Sequence, residues 1–201
     1  MVRLILVRHG ETSTNTKGEV HKYSAPEKLT PNGIKQIEKT TEALKAYQPS
    51  VVYHSTEERA KGSAEIISEK LHIPLIETHG LEERNWGDYS GLSFQEIKQK
   101  AGMDNMIFDE RYNFVPPKGE SWKEAETRLL NTIENIISAN EGKTFILITH
   151  GGAIRILMPT LLGVDKEESY KYDPDNASIS VFDHQNGKFV KMVYNDTTHL
   201  I

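Results

Sequence analysis

Apolar positions along this chain follow two rhythms in alternation, short unbroken runs and longer stretches at helical spacing. Leu4 to Val7 is an unbroken run closed by Arg8-His9-Gly10, which predicts a strand buried on both faces. Thr30-Pro31 then supplies a helix cap followed by a proline at the first helical position. Ile34, Ile37, Leu44 and Tyr47 recur at helical spacing, Lys35, Glu38, Lys39 and Glu42 fill the opposite face, and Pro49 ends the helix. Val51-Val52-Tyr53 predicts a second strand. A second helix is expected from about Glu57 to Leu71, with Ala60, Ala64, Ile67 and Leu71 on one stripe, and a short strand from Ile73 to Ile76.

Ser93 with Glu96, and Ser121 with Glu124, have the spacing of capping boxes, so helices are expected to open at both. The second runs through Leu129, Ile133 and Ile137 to about Glu141-Gly142. Between them, residues 101–118 carry no clean period and are rich in turn residues, which predicts a loop or lid. Phe145 to Ile148 predicts a strand, residues 152–162 a helix closed by Gly163. Two alternating runs, Ser178 to Phe182 and Phe189 to Val193, flank Asn186-Gly187, a strong hairpin signal. Strands alternating with helices predict an α/β fold, a three-layer α/β/α sandwich with a mostly parallel central sheet.

Composition narrows the chemistry. The 201 residues predict one domain, and 37% hydrophobic with 26% charged residues is ordinary for a globular chain. There is no cysteine, which excludes a disulfide scaffold, a thiolate nucleophile, an iron–sulfur cluster and a cysteine zinc site. A net charge of −5 argues against a nucleic-acid partner. No apolar run approaches the ~20 residues a membrane helix needs. The N-terminal run is too short for a signal segment and lacks a cleavage site, so a cytoplasmic location is expected.

One short echo stands out. Ile5-Leu6-Val7-Arg8-His9-Gly10 is matched by Ile146-Leu147-Ile148-Thr149-His150-Gly151, each an apolar strand delivering His-Gly at its carboxyl end. Ligands of open α/β sheets bind at that end. Arg59, early in the helix after Val51-Val52-Tyr53, belongs to the same edge. Two arginines, two histidines and the helix N-terminus after Gly151 suit a tetrahedral dianion. The bland alternative, strand-end histidines satisfied by nearby carbonyls, suits one isolated histidine better than two His-Gly pairs beside an arginine. The other histidines, His21, His54, His72, His79, His184 and His199, lack metal-ligand spacing and read as surface or local packing, with His54 closest to a strand end. Glu77, Glu82 and Glu83 read equally well as solvated charges.

Leu6-Val7-Arg8-His9-Gly10-Glu11-Thr12 followed by Asn15 resembles the signature of the histidine phosphatase superfamily, the phosphoglycerate mutase-like family. Leu29-Thr30-Pro31-Asn32-Gly33-Ile34-Lys35-Gln36, Ser55 to Ala60, Leu81-Glu82-Glu83 with Gly87 and Gly91, Gly119-Glu120-Ser121 and Thr149 to Gly152 resemble further segments of that family, in order. The resemblance implies His9 as a nucleophile forming phosphohistidine. It implies that Arg8, Arg59 and His150 hold the phosphoryl oxygens, with Asn15 and Gly151 on the same group. It selects Glu83 as the general acid and base. It implies no metal and no cofactor, and a small phosphorylated substrate.

The family holds both phosphatases and phosphoglycerate mutases. The chain is shorter than typical mutases, which favours a phosphomonoester phosphatase. Glu83-Arg84, resembling a mutase Glu-Arg pair, favours the alternative, in which Arg84 touches substrate and 2,3-bisphosphoglycerate primes the enzyme. A non-catalytic phospho-ligand module is a third reading, disfavoured because His9 and Glu83 are both present. Residues of the 101–118 segment, Arg111, Tyr112 and Phe114 among them, are candidates for contacting the non-reacting part of a substrate. Ser13 and the stretch Gly18 to Tyr23 depart from the family pattern, so the loop beside the pocket is atypical.

Overall fold

The computed structural model describes residues 1–22 and 25–201. Tyr23, the last residue of the atypical stretch, lies outside the described residues. Among the described residues six strands form one sheet: β1 (Val2–Arg8), β2 (Val52–His54), β3 (Leu75–Glu77), β4 (Thr144–Thr149), β5 (Ile179–Gln185) and β6 (Lys188–Asp196), in the order β3-β2-β4-β1-β5-β6. The first four are mutually parallel, while β5 pairs antiparallel with β1 and β6 antiparallel with β5. Asn186 and Gly187, both at positive φ (51° and 72°), make the tight turn between the last two.

The unbroken apolar runs of β1 and β4 are explained by helices on both faces. Leu4, Leu6, Phe145 and Leu147 pack with α6 (Trp122–Ala139) and α7 (Gly151–Leu162). Ile5, Val7, Ile146 and Ile148 pack with α2 (Pro31–Leu44) and α3 (Glu58–Leu71). The expected sandwich is the observed one. Thr30 caps α2 through the Gly33 amide at 3.0 Å, and Ser121 and Glu124 form the capping box of α6. Among the described residues no helix is long and apolar enough to cross a membrane.

Local structure departs from the reading of the sequence at three places. A five-residue helix, α1 (Ser13–Lys17), follows β1, capped by Thr12. β3 starts two residues later than expected. Residues 101–118 are not all loop. After α4 (Phe94–Ala101) they include a 3₁₀ turn, Met103–Asn105, and α5 (Phe108–Asn113), whose Glu110 carboxylate accepts from the Ile107 amide. Helices of six residues are too short to print a period.

The carboxyl ends of the strands converge. The β1–β4 register pairs Val7 with Ile148 and Arg8 with Thr149, so His9 and His150 emerge side by side. β2 lies on the other side of β4 and pairs His54 with Ile148, which brings Ser55 to Arg59 to the same edge. The loop after β3 is tied there by the Thr149 hydroxyl, which donates to the Leu81 carbonyl at 2.7 Å. Loss of the α6 cap tests how independent this frame is of its margins. Ser121→Ala should lower unfolding stability by about 1 kcal/mol, read as a shifted urea midpoint with unchanged slope.

Candidate active site

His9 leaves β1 as its last backbone donor, its amide bonded to the Thr149 carbonyl at 3.0 Å. Its Nδ1 faces the Gly10 carbonyl at 2.8 Å, and a carbonyl only accepts, so Nδ1 carries the proton. Nε2 of the neutral ring therefore holds a lone pair. Burial, then the charges of Arg59, His150 and Arg8, push the His9 imidazolium well below its ordinary pKa, so the ring is neutral at pH 7. Its centroid lies 5.2 Å from that of His150.

Around these rings sit donors that no acceptor in the described residues satisfies. They are Arg8 Nε, Arg59 Nε and His150 Nδ1, all buried. Arg8 is anchored by Nη1 to the Pro174 carbonyl at 2.6 Å. Burial lowers its pKa from 12.5, which still leaves it a cation at pH 7. Arg59 is 1% exposed, an unusual place for a guanidinium. Buried donors are nearly always satisfied, so three without partners in one place describe an anion-binding centre. Asn15 joins them from α1. Its Oδ1 accepts from the Thr12 amide (3.1 Å), the Thr12 hydroxyl (3.0 Å) and Asn176 Nδ2 (3.1 Å), which turns its own amide donor toward the cavity.

A cavity of about 270 Å³ opens over this centre. Arg8, Asn15, His21, Glu83 and Gly151 line it, while Val20, Trp86, Phe94, Trp122 and Ile156 supply apolar wall farther out. His9, Arg59 and His150, each 1% exposed, lie beneath it rather than in its lining. Gly151 and Gly152 open α7 under the lining side chains. A Cβ on Gly151 would meet Arg8 Nε at 3.1 Å, and one on Gly152 would collide with Glu83. That close approach lets the Glu83 carboxylate accept from the Gly152 amide at 2.8 Å, at a helix N-terminus.

The three neighbouring glutamates are thereby separated. Glu83 lines the cavity. Glu82 points away, accepting from the Gly80 amide (2.7 Å) and the Thr56 hydroxyl (3.0 Å) and lying 3.4 Å from Arg128. Glu77 is exposed at the end of β3. Arg84 also lines the cavity, 4% exposed, with its guanidinium over Trp86 (4.1 Å) and donating to the carbonyls of Phe114 and Glu120. No carboxylate pairs with it among the described residues. Arg155, by contrast, is paired with Asp173 at 2.5 Å.

Two residues of this site were not legible in the sequence. His21 is not surface packing: it lines the cavity, its ring edge-on to His9 at 5.5 Å, its Nε2 2.9 Å from the Thr12 hydroxyl and 3.3 Å from Glu27. Its pKa falls to about 4, chiefly through burial and then through Arg59. Glu57, 6% exposed, lies 2.7 Å from His150 Nε2 and 3.0 Å from Arg59 Nη2. His54 is buried with its Nδ1 on the Ser55 carbonyl, outside the cavity lining. Among the described residues no group of three His, Asp or Glu side chains could hold a metal ion.

The family model of the histidine phosphatase superfamily (branch 1) matches residues 4–197. The uncharacterized phosphatase PhoE of Bacillus subtilis is 31% identical, over 100% of this chain and 97% of its own. A 2,3-bisphosphoglycerate-dependent phosphoglycerate mutase of Cytophaga hutchinsonii is 32% identical over 82% of this chain and 79% of its own. A metal-independent phosphoserine phosphatase of Arabidopsis thaliana is 29% identical over 100% and 84%. The solved structure of Bacillus stearothermophilus YhfR superposes with a TM-score of 0.89 at 26% identity, covering 100% of both chains.

The buried neutral rings carry a thermodynamic consequence. His9 and His21 titrate below 6.5 when folded, so the unfolded chain binds more protons as pH falls through 6.5. Stability should therefore decline from pH 7.5 to pH 5 by about 1 kcal/mol or more for each ring whose shift exceeds one unit. Urea unfolding at both pH values measures this, and His21→Asn should flatten the dependence.

Proposed function

The chain belongs to the histidine phosphatase superfamily (branch 1), and we propose that within it this protein is a phosphomonoester phosphatase working through a phosphohistidine on His9. The observation that carries the reading is the set of unsatisfied donors, Arg8 Nε, Arg59 Nε and His150 Nδ1, around a histidine whose Nε2 is bare.

In the first step the Nε2 lone pair attacks phosphorus, the P–N bond forms and the bond to the substrate oxygen breaks. Glu83, in its acid form, delivers a proton to that leaving oxygen, and the alcohol departs. In the second step the Glu83 carboxylate takes a proton from water, the hydroxide attacks phosphorus, and the P–N bond breaks to release inorganic phosphate and neutral His9. Arg8, Arg59, His150, Asn15 and the α7 amide at Gly151 hold the equatorial oxygens, so the arginines supply the charge stabilisation that phosphoryl transfer needs, and no metal or cofactor enters. His9 is suited to attack because its environment disfavours the proton that would block it.

The substrate is a small phosphomonoester. Its phosphoryl group fills the anion centre, and its remainder meets Trp86, Phe94, Trp122 and Ile156, with Arg84 available to a second anionic group. Supporting hydrolysis over mutase chemistry, relatives described as phosphatases align with the whole chain, whereas those described as mutases align with 82% to 93% of it. Arg84, a buried guanidinium beside Glu83, favours the second reading, phosphoglycerate mutase primed by 2,3-bisphosphoglycerate.

His9→Ala should abolish p-nitrophenyl phosphate hydrolysis and alkali-stable phosphate labelling of the protein while leaving the fold intact; retained turnover would sink the assignment. Glu83→Gln should lower kcat on alkyl phosphates by roughly 10²–10⁴-fold and leave vanadate affinity nearly unchanged. A panel of phosphorylated acids and sugars, scored for released phosphate against 2- and 3-phosphoglycerate interconversion, separates phosphatase from mutase.

A further inference from the structure

One carboxylate at the site has no part in the chemistry above. Glu57 stands at the N-cap of α3, yet its side chain makes no cap hydrogen bond. It turns inward instead. A single oxygen, Oε2, lies 2.7 Å from His150 Nε2 and 3.0 Å from Arg59 Nη2, and accepts from the Glu83 amide at 3.1 Å. Those three contacts reach the imidazole, the guanidinium and the backbone of the acid, which come from three separate segments of chain. Ser55 adds a second contact to His150 Nε2 at 2.9 Å. Burial opposes ionisation of Glu57, but the charge and hydrogen bond of His150, then Arg59, outweigh it and hold the carboxyl far below the usual range.

Glu57 does not occupy the anion centre. It engages Nε2 of His150, leaving Nδ1 as the ring's buried unpartnered nitrogen, a donor in the imidazolium form, and Arg59 Nε likewise stays without a partner. A charge buried this deeply is costly unless its partners are fixed, so its contacts favour one arrangement of all three.

We propose that Glu57 is a positioning residue of the phosphoryl site, joining His150, Arg59 and the Glu83 loop through one oxygen so that their donors are aimed before substrate arrives. The inference rests on the phosphoryl-site reading given above. Glu57→Gln keeps an oxygen that can meet some of these donors, and Glu57→Leu removes all three contacts at similar size.

The test compares wild type, Glu57→Gln and Glu57→Leu by calorimetric titration with orthovanadate, by kcat and KM on p-nitrophenyl phosphate, and by thermal melting, with rates normalised to labelled His9. Vanadate affinity and kcat/KM should fall together, least in Glu57→Gln and by about 10- to 100-fold in Glu57→Leu, as expected for sub-ångström to ångström misplacement. Both variants within twofold of wild type in vanadate affinity and normalised kcat/KM would overturn the proposal. So would a lowered melting temperature with those two quantities unchanged, since that is a structural role. Should Glu57→Leu fail to fold, Glu57→Gln alone decides by the same criterion. Vanadate binding needs no turnover, so a wild type that binds vanadate while the variants bind it equally refutes only the role of Glu57. A wild type that binds none refutes the site and this inference together.

Discussion

Everything at this sheet edge depends on placing like charges next to one another out of water. Arg8, Arg59 and His150 surround His9 with positive potential in a region that solvent barely reaches. Such a cluster repels itself and loses hydration, so it survives only where the backbone leaves it no alternative and where anchors hold the groups from behind. The anchors are visible: the Pro174 carbonyl behind Arg8, Glu57 behind Arg59 and His150, and the Gly10 carbonyl behind His9. Each uses the rear of a side chain and leaves the front for an anion. Burial, and then the same field, keep His9 unprotonated, so in the proposed reaction one arrangement would both attract a phosphoryl group and ready its attacker.

The frame that enforces this is the parallel register of β1 on β4. A one-residue slip between two strands moves side chains to the opposite face, and here it would separate His9 from His150. Apolar residues on both faces of both strands fix the register, since Leu4 and Leu6 belong to one core and Ile5 and Val7 to the other. The anion centre is therefore specified by packing that never touches it.

That division explains what could be read from the sequence. The strand-end His-Gly pairs, the capping boxes and the Asn-Gly turn are local signals, and each names its own structure. Arg59 was within reach because a strand precedes it closely. The choice of Glu83 over Glu82 had no local basis. It came from a family pattern; in the structure Glu83 lines the cavity, while Glu82 is taken up by Gly80, Thr56 and Arg128. Glu57 and His21 were opaque for a different cause. One sits where a helix cap is expected and the other on an irregular loop, and their partners lie 93 and 12 residues away in the chain, His150 and His9. α5 is silent because six residues cannot display a helical stripe.

The strand order has a consequence for how the protein comes into being. β1 is the first strand made, yet its two neighbours in the sheet, β4 and β5, span residues 144–149 and 179–185. During synthesis the nascent β1 stays without either neighbour until most of the chain has left the ribosome. Contacts this distant in sequence delay folding through the loop entropy they must overcome. The half-built chain thus carries Arg8 and His9 but no cradle, and a chain interrupted before β4 exposes an apolar seven-residue strand for which only intermolecular pairing or a chaperone is available.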